Sequence, residues 1–213
     1  MKRFDKDTWE RKEIFDFFSS LSDPFYMVSF RVDVSELYDY AKAHDLSFYM
    51  AMIWACDEAI NDIQAFRLCI KEDGLYEYER RDPSFTYLKE GREAFQIITM
   101  EHIDDIDTFC KKAIEKAEMQ EGFIDLSSET DDLIYYSCLP WIDLTALTNE
   151  KDHSSSLKDD SIPRIAWGKY KDENGRKILT VSMEVNHRFI DGIHIAMFAG
   201  RLEEIIKGLS YEC

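Results

Sequence analysis

The spacing of apolar residues changes repeatedly along the chain, and each change marks an element. Trp9, Ile14, Phe15, Phe17 and Phe18 gather on one helical face, predicting a helix over 9–19 with Asp7 or Thr8 as its cap. Asp23-Pro24 breaks it. Tyr26, Val28, Phe30 and Val32 then alternate with Ser29, Arg31 and Asp33, a strand period over 25–34. Helices follow over 35–44 and 48–62. The second starts at Ser47 and is apolar nearly all round, so it is predicted to be buried.

Residues 66–70 and 75–78 form a predicted hairpin around Lys71-Glu72-Asp73-Gly74. Strands are predicted at 85–88 and 94–100, then an exposed helix of mixed charge over 104–120. An apolar strand over 133–138 runs into Leu139-Pro140-Trp141. The polar, serine-rich stretch 150–161 reads as a solvated loop. Strands over 165–171 and 177–185 meet at Glu173-Asn174-Gly175, and a last helix covers 191–207. No repeat or linker interrupts this order, so residues 1–213 are expected to form one domain. Frequent hairpins among the strands favour an α+β two-layer sandwich, a mixed β-sheet covered by helices.

Charge narrows the partners. Lys and Arg total 26 against 43 Asp and Glu, a formal net charge of −17, which opposes non-specific binding to nucleic acid or anionic membrane. No stretch reaches the roughly 20 apolar residues of a membrane span. The start, Met1-Lys2-Arg3-Phe4-Asp5, lacks the apolar core of a signal peptide. The five cysteines, Cys56, Cys69, Cys110, Cys138 and Cys213, are widely spaced without a C-x-x-C pair. They suggest neither a disulfide framework nor a zinc site, and four of them read as small core residues. A cytoplasmic setting, with no metal, fits best.

Candidate chemistry centres on His187, which follows a long apolar strand and precedes Asp191-Gly192 and an amphipathic helix. An imidazole titrates near neutrality and can take a proton from an attacking group. Asp191 sits where a helix dipole favours negative charge. Gly192 would permit a positive φ or a close backbone approach at the turn. His194, one helical turn on, is expected to pack or hydrogen-bond locally, while His44, His102 and His153 lie in polar surroundings and carry no signal.

Asn186-His187-Arg188-Phe189-Ile190-Asp191-Gly192 resembles the active-site motif of the chloramphenicol acetyltransferase superfamily, which includes the catalytic domains of dihydrolipoamide acyltransferases. Trp9-Glu10-Arg11-Lys12-Glu13-Ile14-Phe15 resembles the amino-terminal motif of the chloramphenicol branch. Phe66-Arg67-Leu68-Cys69-Ile70-Lys71-Glu72, Asp82-Pro83-Ser84-Phe85-Thr86, Ser137-Cys138-Leu139-Pro140-Trp141 and Gly168-Lys169-Tyr170 match in order. The resemblance implies an acetyl-CoA-dependent O-acetyltransferase in which His187 is the general base and Ser137 donates to the oxyanion. Asp191 would pair with Arg11 to hold the base turn, beside Asn186. It implies acetyl-CoA as cosubstrate, with no permanently bound cofactor, and a homotrimer with sites between subunits. Trp141, Lys169 and Tyr170 would lie near CoA; Phe17, Phe18, Thr86 and Phe95 would line the acceptor pocket, taking chloramphenicol or a related small molecule.

Departures fall on the acceptor side. Asn186 stands where the family has a histidine, Ala166 aligns with a threonine, and Phe18 with a tyrosine. The family's apolar pocket wall is replaced after Trp141 by Leu147-Thr148-Asn149-Glu150-Lys151-Asp152-His153-Ser154-Ser155-Ser156, expected to be flexible and too polar to supply that wall. Two other readings follow: a chain that binds without turnover, and a dihydrolipoamide-type acyltransferase. The second is disfavoured by the missing lipoyl segment.

Overall fold

The computed structural model describes residues 1–151 and 161–209. Ten strands and five α-helices follow in chain order: β1 (Lys2–Arg3), α1 (Lys12–Ser19), β2 (Phe25–Asp33), α2 (Ser35–Ala43), α3 (Phe48–Asn61), β3 (Leu68–Lys71), β4 (Gly74–Glu77), β5 (Asp82–Tyr87), β6 (Gln96–Thr99), α4 (Ile106–Met119), β7 (Leu133–Leu139), β8 (Arg164–Gly168), β9 (Lys171–Glu173), β10 (Arg176–Asn186) and α5 (Gly192–Gly208). The main sheet has seven strands in the order β2-β10-β8-β7-β5-β6, with β9 on the outer part of β10. It is mixed: β5, β7 and β8 run parallel and the other pairings are antiparallel. A three-stranded sheet, β1-β4-β3, stands apart.

The helix-covered sheet agrees with the α+β expectation, but several boundaries move for local reasons. The first helix starts at Lys12 rather than Trp9. Asp7 and Thr8 do not cap it; Asp7 binds Lys12 and Thr8 bonds to Asp5. Residues 66–67 belong to a 3₁₀ turn ahead of β3. The predicted strand 165–171 is broken at Lys169, whose N–H turns aside to donate to Ile142 O at 2.7 Å. A Cβ at Gly168 would lie 2.5 Å from the same carbonyl, so the loop after β7 requires glycine there. Asn174 and Gly175 have φ of 56° and 80°, the left-handed pair that an Asn-Gly hairpin demands.

Strand alternation divides the sheet's faces. Phe85, Tyr136, Ile165, Trp167, Val181, Met183 and Val185 point into the core, against α3 and the other helices. The opposite face carries two registered rows. One is Thr86, Ser137, Ala166, Ser182 and Ser29; the other is Thr99, Ser84, Tyr135, Arg164 and Glu184. One face is therefore apolar and the other hydroxylated and charged, the usual result when helices cover a single side of a sheet. Cys56, Cys69 and Cys110 are buried and Cys138 is half-buried, in line with their reading as core residues. No helix among the described residues is long and apolar enough to cross a membrane.

Candidate active site

Where β10 ends, its backbone turns into α5, and His187 occupies the corner. Its N–H donates to Pro24 O at 2.8 Å. The ring lies between Phe18, 4.0 Å away and stacked, and Tyr26, 4.3 Å away. Aromatic contact on both faces restricts the imidazole without consuming its nitrogens, and 28 % of the side chain stays exposed. Its Nε2 is 3.8 Å from Asp191 Oδ1, beyond a direct hydrogen bond.

Asp191 has two duties. It is the N-cap of α5, its Oδ1 accepting from Gly192 N–H at 2.7 Å, and its own N–H donates to His194 Nδ1 at 2.9 Å. His194 thus packs and bonds locally, as expected; burial lowers its pKa. Arg11 reaches Asp191 Oδ2 at 3.3 Å and His187 O at 3.5 Å. The Gly192 N–H bond, and then Arg11, hold the Asp191 carboxyl below its usual range. Gly192 departs from expectation. Its φ is not positive and a Cβ there would meet nothing within 4 Å, so nothing within this chain requires glycine.

A cavity of about 860 Å³ opens on the polar face of the sheet. Ser137, Thr86, Phe95 and Trp141 line it; His187, Phe17 and Phe18 do not. Thr86 Oγ1 donates to Ser137 Oγ at 3.5 Å, while Tyr49 O–H donates to Thr86 O at 2.7 Å. Burial raises the Tyr49 pKa, so this phenol stays protonated. Ser137 pairs with Ala166, which pairs with Ser182 on β10. His187 lies five residues beyond Ser182. Five rises of ~3.3 Å and two strand spacings of ~4.8 Å separate Ser137 from His187 by roughly 20 Å. Within one chain they do not share a reacting atom.

The chloramphenicol acetyltransferase family model matches residues 1–203. This chain belongs to that family. It is 27 % identical over 206 residues to chloramphenicol acetyltransferase 3 of Escherichia coli, covering 95 % of each. A solved chloramphenicol acetyltransferase superposes with a TM-score of 0.84 at 27 % identity, covering 97 % of this chain and all of that one. A dihydrolipoamide acetyltransferase of Azotobacter vinelandii shares the fold, with a TM-score of 0.69 at 16 % identity over 90 % of this chain and 86 % of that one. The chain is accordingly an acyltransferase of the chloramphenicol acetyltransferase family, whose acyl donor is acetyl-CoA.

For a member of this family, the departures have local explanations. Asn186 is buried, its Oδ1 accepting from Arg188 N and Nε at 3.0 and 3.2 Å; it ties the base turn together. Ala166 is buried in its strand. Residues 147–151, the described part of the segment expected to be flexible, are instead tied to the sheet. Leu147 N–H donates to Ser182 Oγ at 3.0 Å and Asn149 N–H to Glu184 Oε2 at 3.1 Å. Lys151, expected in solvent, is only 10 % exposed and pairs with the buried Glu184 at 2.7 Å. Leu147 therefore joins Leu139, Ile97 and Phe95 in the cavity wall, which is not simply polar. Residues 152–160, including His153, lie outside the described residues.

Trp141 is 69 % exposed at the cavity mouth. Lys169 and Tyr170 do not line the cavity; Tyr170 packs against Tyr38 and Phe48, with ring centroids 5.3 and 5.9 Å away. Phe17 is 63 % exposed beside Phe18.

His102 is where the sequence reading fell short. Its side chain is 5 % exposed, its Nδ1 2.6 Å from Asp57 and its Nε2 2.6 Å from Glu58. Arg80 binds both carboxylates, and Tyr136 O–H donates to Asp57 at 3.4 Å. Burial opposes its charge, but the bonds to Asp57 and Glu58 prevail and raise its pKa to about 9. Asp57 sits inside the apolar run of α3, 45 residues earlier; its charge there was the available signal.

Proposed function

We propose that this chain is a CoA-dependent O-acetyltransferase whose site is assembled between copies, His187 of one copy meeting the Ser137 cavity of another in a homotrimer. The supporting observation is the division of the site: a restrained imidazole with an accessible edge, and a hydroxyl-lined cavity roughly 20 Å away on the same chain. His187 takes the proton of an acceptor hydroxyl, and the oxygen attacks the thioester carbonyl of acetyl-CoA. Ser137 donates to the resulting oxyanion, stabilising charge where it develops. The tetrahedral intermediate collapses, expelling the CoA thiolate, which recovers the proton from the imidazolium. Asp191 and Arg11 hold the turn and touch no reacting atom. Trp141 borders the thioester end, and Thr86 and Phe95 the acceptor end.

Chloramphenicol is the first acceptor to test. Release of free thiol from acetyl-CoA in its presence, abolished by His187→Ala, is the result expected. Full activity of His187→Ala would overturn the mechanism. Thiol release with other hydroxyl compounds but not chloramphenicol would retain the chemistry and remove the drug.

A further inference from the structure

The acceptor end of the cavity carries a fixed carboxylate. Glu129 is half-buried and lines the cavity. Its Oε1 accepts from Thr99 Oγ1 at 3.1 Å and its Oε2 from Tyr135 O–H at 3.3 Å. Ser84 Oγ lies 2.9 Å from Thr99 Oγ1. A carboxylate only accepts, and the Thr99 O–H is placed to donate to Glu129 Oε1 or to Ser84 Oγ. These are the hydrogen bonds of the Glu129 side chain among the described residues. One donor per oxygen leaves each with room for another, facing the cavity.

The surroundings carry the same sign. Among the described lining residues, Glu93 and Glu150 are also acidic and Arg164 is basic. That guanidinium is buried over Phe25 and Tyr135 and donates to Ile162 O. Tyr135 stands two residues before Ser137 on the same face of β7, about 7 Å along the strand. Thr99, which holds Glu129, lies two strand spacings farther across the sheet, so the carboxylate stands roughly 12 Å from Ser137. With the acetyl carbonyl lying between Ser137 and the acceptor hydroxyl, an extended acceptor reaches Glu129 through a group a few bonds beyond that hydroxyl. Phe95 and Ile97 flank it with apolar surface.

We propose that Glu129 selects a cationic acceptor: a hydroxyl compound with an ammonium group a few bonds away and an apolar body. This rests on the acetyl-transfer reading for the occupant's role as acceptor. Preformed hydrogen bonds from Thr99 and Tyr135 mean that the carboxylate need not be ordered on binding, so a charge-assisted contact there adds directly to affinity.

The test uses a matched pair: chloramphenicol, which is neutral, and the free amine left when its dichloroacetyl group is removed. Both present the same hydroxyls. Binding to the full chain is measured by calorimetry, and O-acetylation by thiol release with product identification. The amine is expected to bind about tenfold more tightly than chloramphenicol. Glu129→Gln is expected to erase that preference, weakening binding of the amine about tenfold relative to that of chloramphenicol. Tyr135→Phe, which removes one donor from Glu129, should weaken the preference without abolishing it. Equal binding of the pair, preference for chloramphenicol, binding of neither, or equal losses for both in Glu129→Gln would overturn the proposal. The two ideas fail separately: charge-selective binding without any acetyl transfer refutes the enzymatic reading and leaves cation recognition standing.

Discussion

Two histidines of this chain stand in opposite circumstances. His102 is locked among Asp57, Glu58 and Arg80 behind the sheet, its pKa raised to about 9. His187 has no ion pair shorter than 3.8 Å, only rings above and below and an edge that solvent reaches. The residue with the raised pKa is the one whose ring nitrogens both face carboxylates. Each of its two N–H groups already faces a carboxylate, so neither nitrogen is open to a substrate. Structural ion-pair networks perturb pKa values as active sites do; accessibility is what separates the two rings, and it is the ground on which His187 is proposed as the base.

Breaking His187 tests the comparison most strongly. His187→Ala should lower kcat by about 10²–10⁴-fold and leave the melting temperature nearly unchanged, because the side chain supports little else. The converse holds for His102→Gln. Removing one member of a buried ionic cluster strands the others, at about 3–5 kcal/mol, read as a loss in urea unfolding; the folded fraction should keep its kcat.

The pH dependence sharpens the same point. A folded pKa near 9 against an unfolded value near 6.5 means that His102 stabilises fully below about pH 6.5. That contribution is lost as pH rises through 9. Unfolding free energy should therefore fall from pH 7 to 10 in the native chain and flatten in His102→Gln. A native curve flat over that range would contradict the imidazolium assignment.

Smaller effects separate the duties of Asp191. Asparagine also caps helices well, so Asp191→Asn should retain α5 while losing the charge attraction to Arg11. An activity loss of about tenfold is expected with little change in melting temperature, since partly exposed ion pairs contribute about 0–1 kcal/mol. If stability falls and activity does not, Arg11 and Asp191 serve the fold alone. Smallest of all is Gly192→Ala. With open space around its Cβ position and helical backbone, alanine should raise stability by up to about 1 kcal/mol, measured by thermal unfolding.

The contrast also marks what the sequence could reveal. Periodicity located nearly every strand and helix because each buries one continuous face, and the His187 turn was legible because strand, base, cap and helix are contiguous. The Arg11–Asp191 pair came from the ordered resemblance, since 180 residues separate the two. Asp57 and His102 meet only once α3 packs against the connection between β6 and α4, and neither neighbourhood announces the other. Residues 147–151 read as solvated because their polar partners, Ser182 and Glu184, lie on a strand 35 positions away. Short-range pattern sees local geometry; tertiary pairing of charges escapes it.

The central claim, a site divided between copies, is tested most directly by complementation. His187→Ala and Ser137→Ala chains are each purified, confirmed to be nearly inactive, then mixed after subunit exchange. In a closed ring with random mixing, about a quarter of the interfaces join an intact His187 to an intact Ser137. The mixture should recover acetyl transfer from acetyl-CoA to that extent. A mixture no more active than the average of its two components, with exchange verified, would contradict the account.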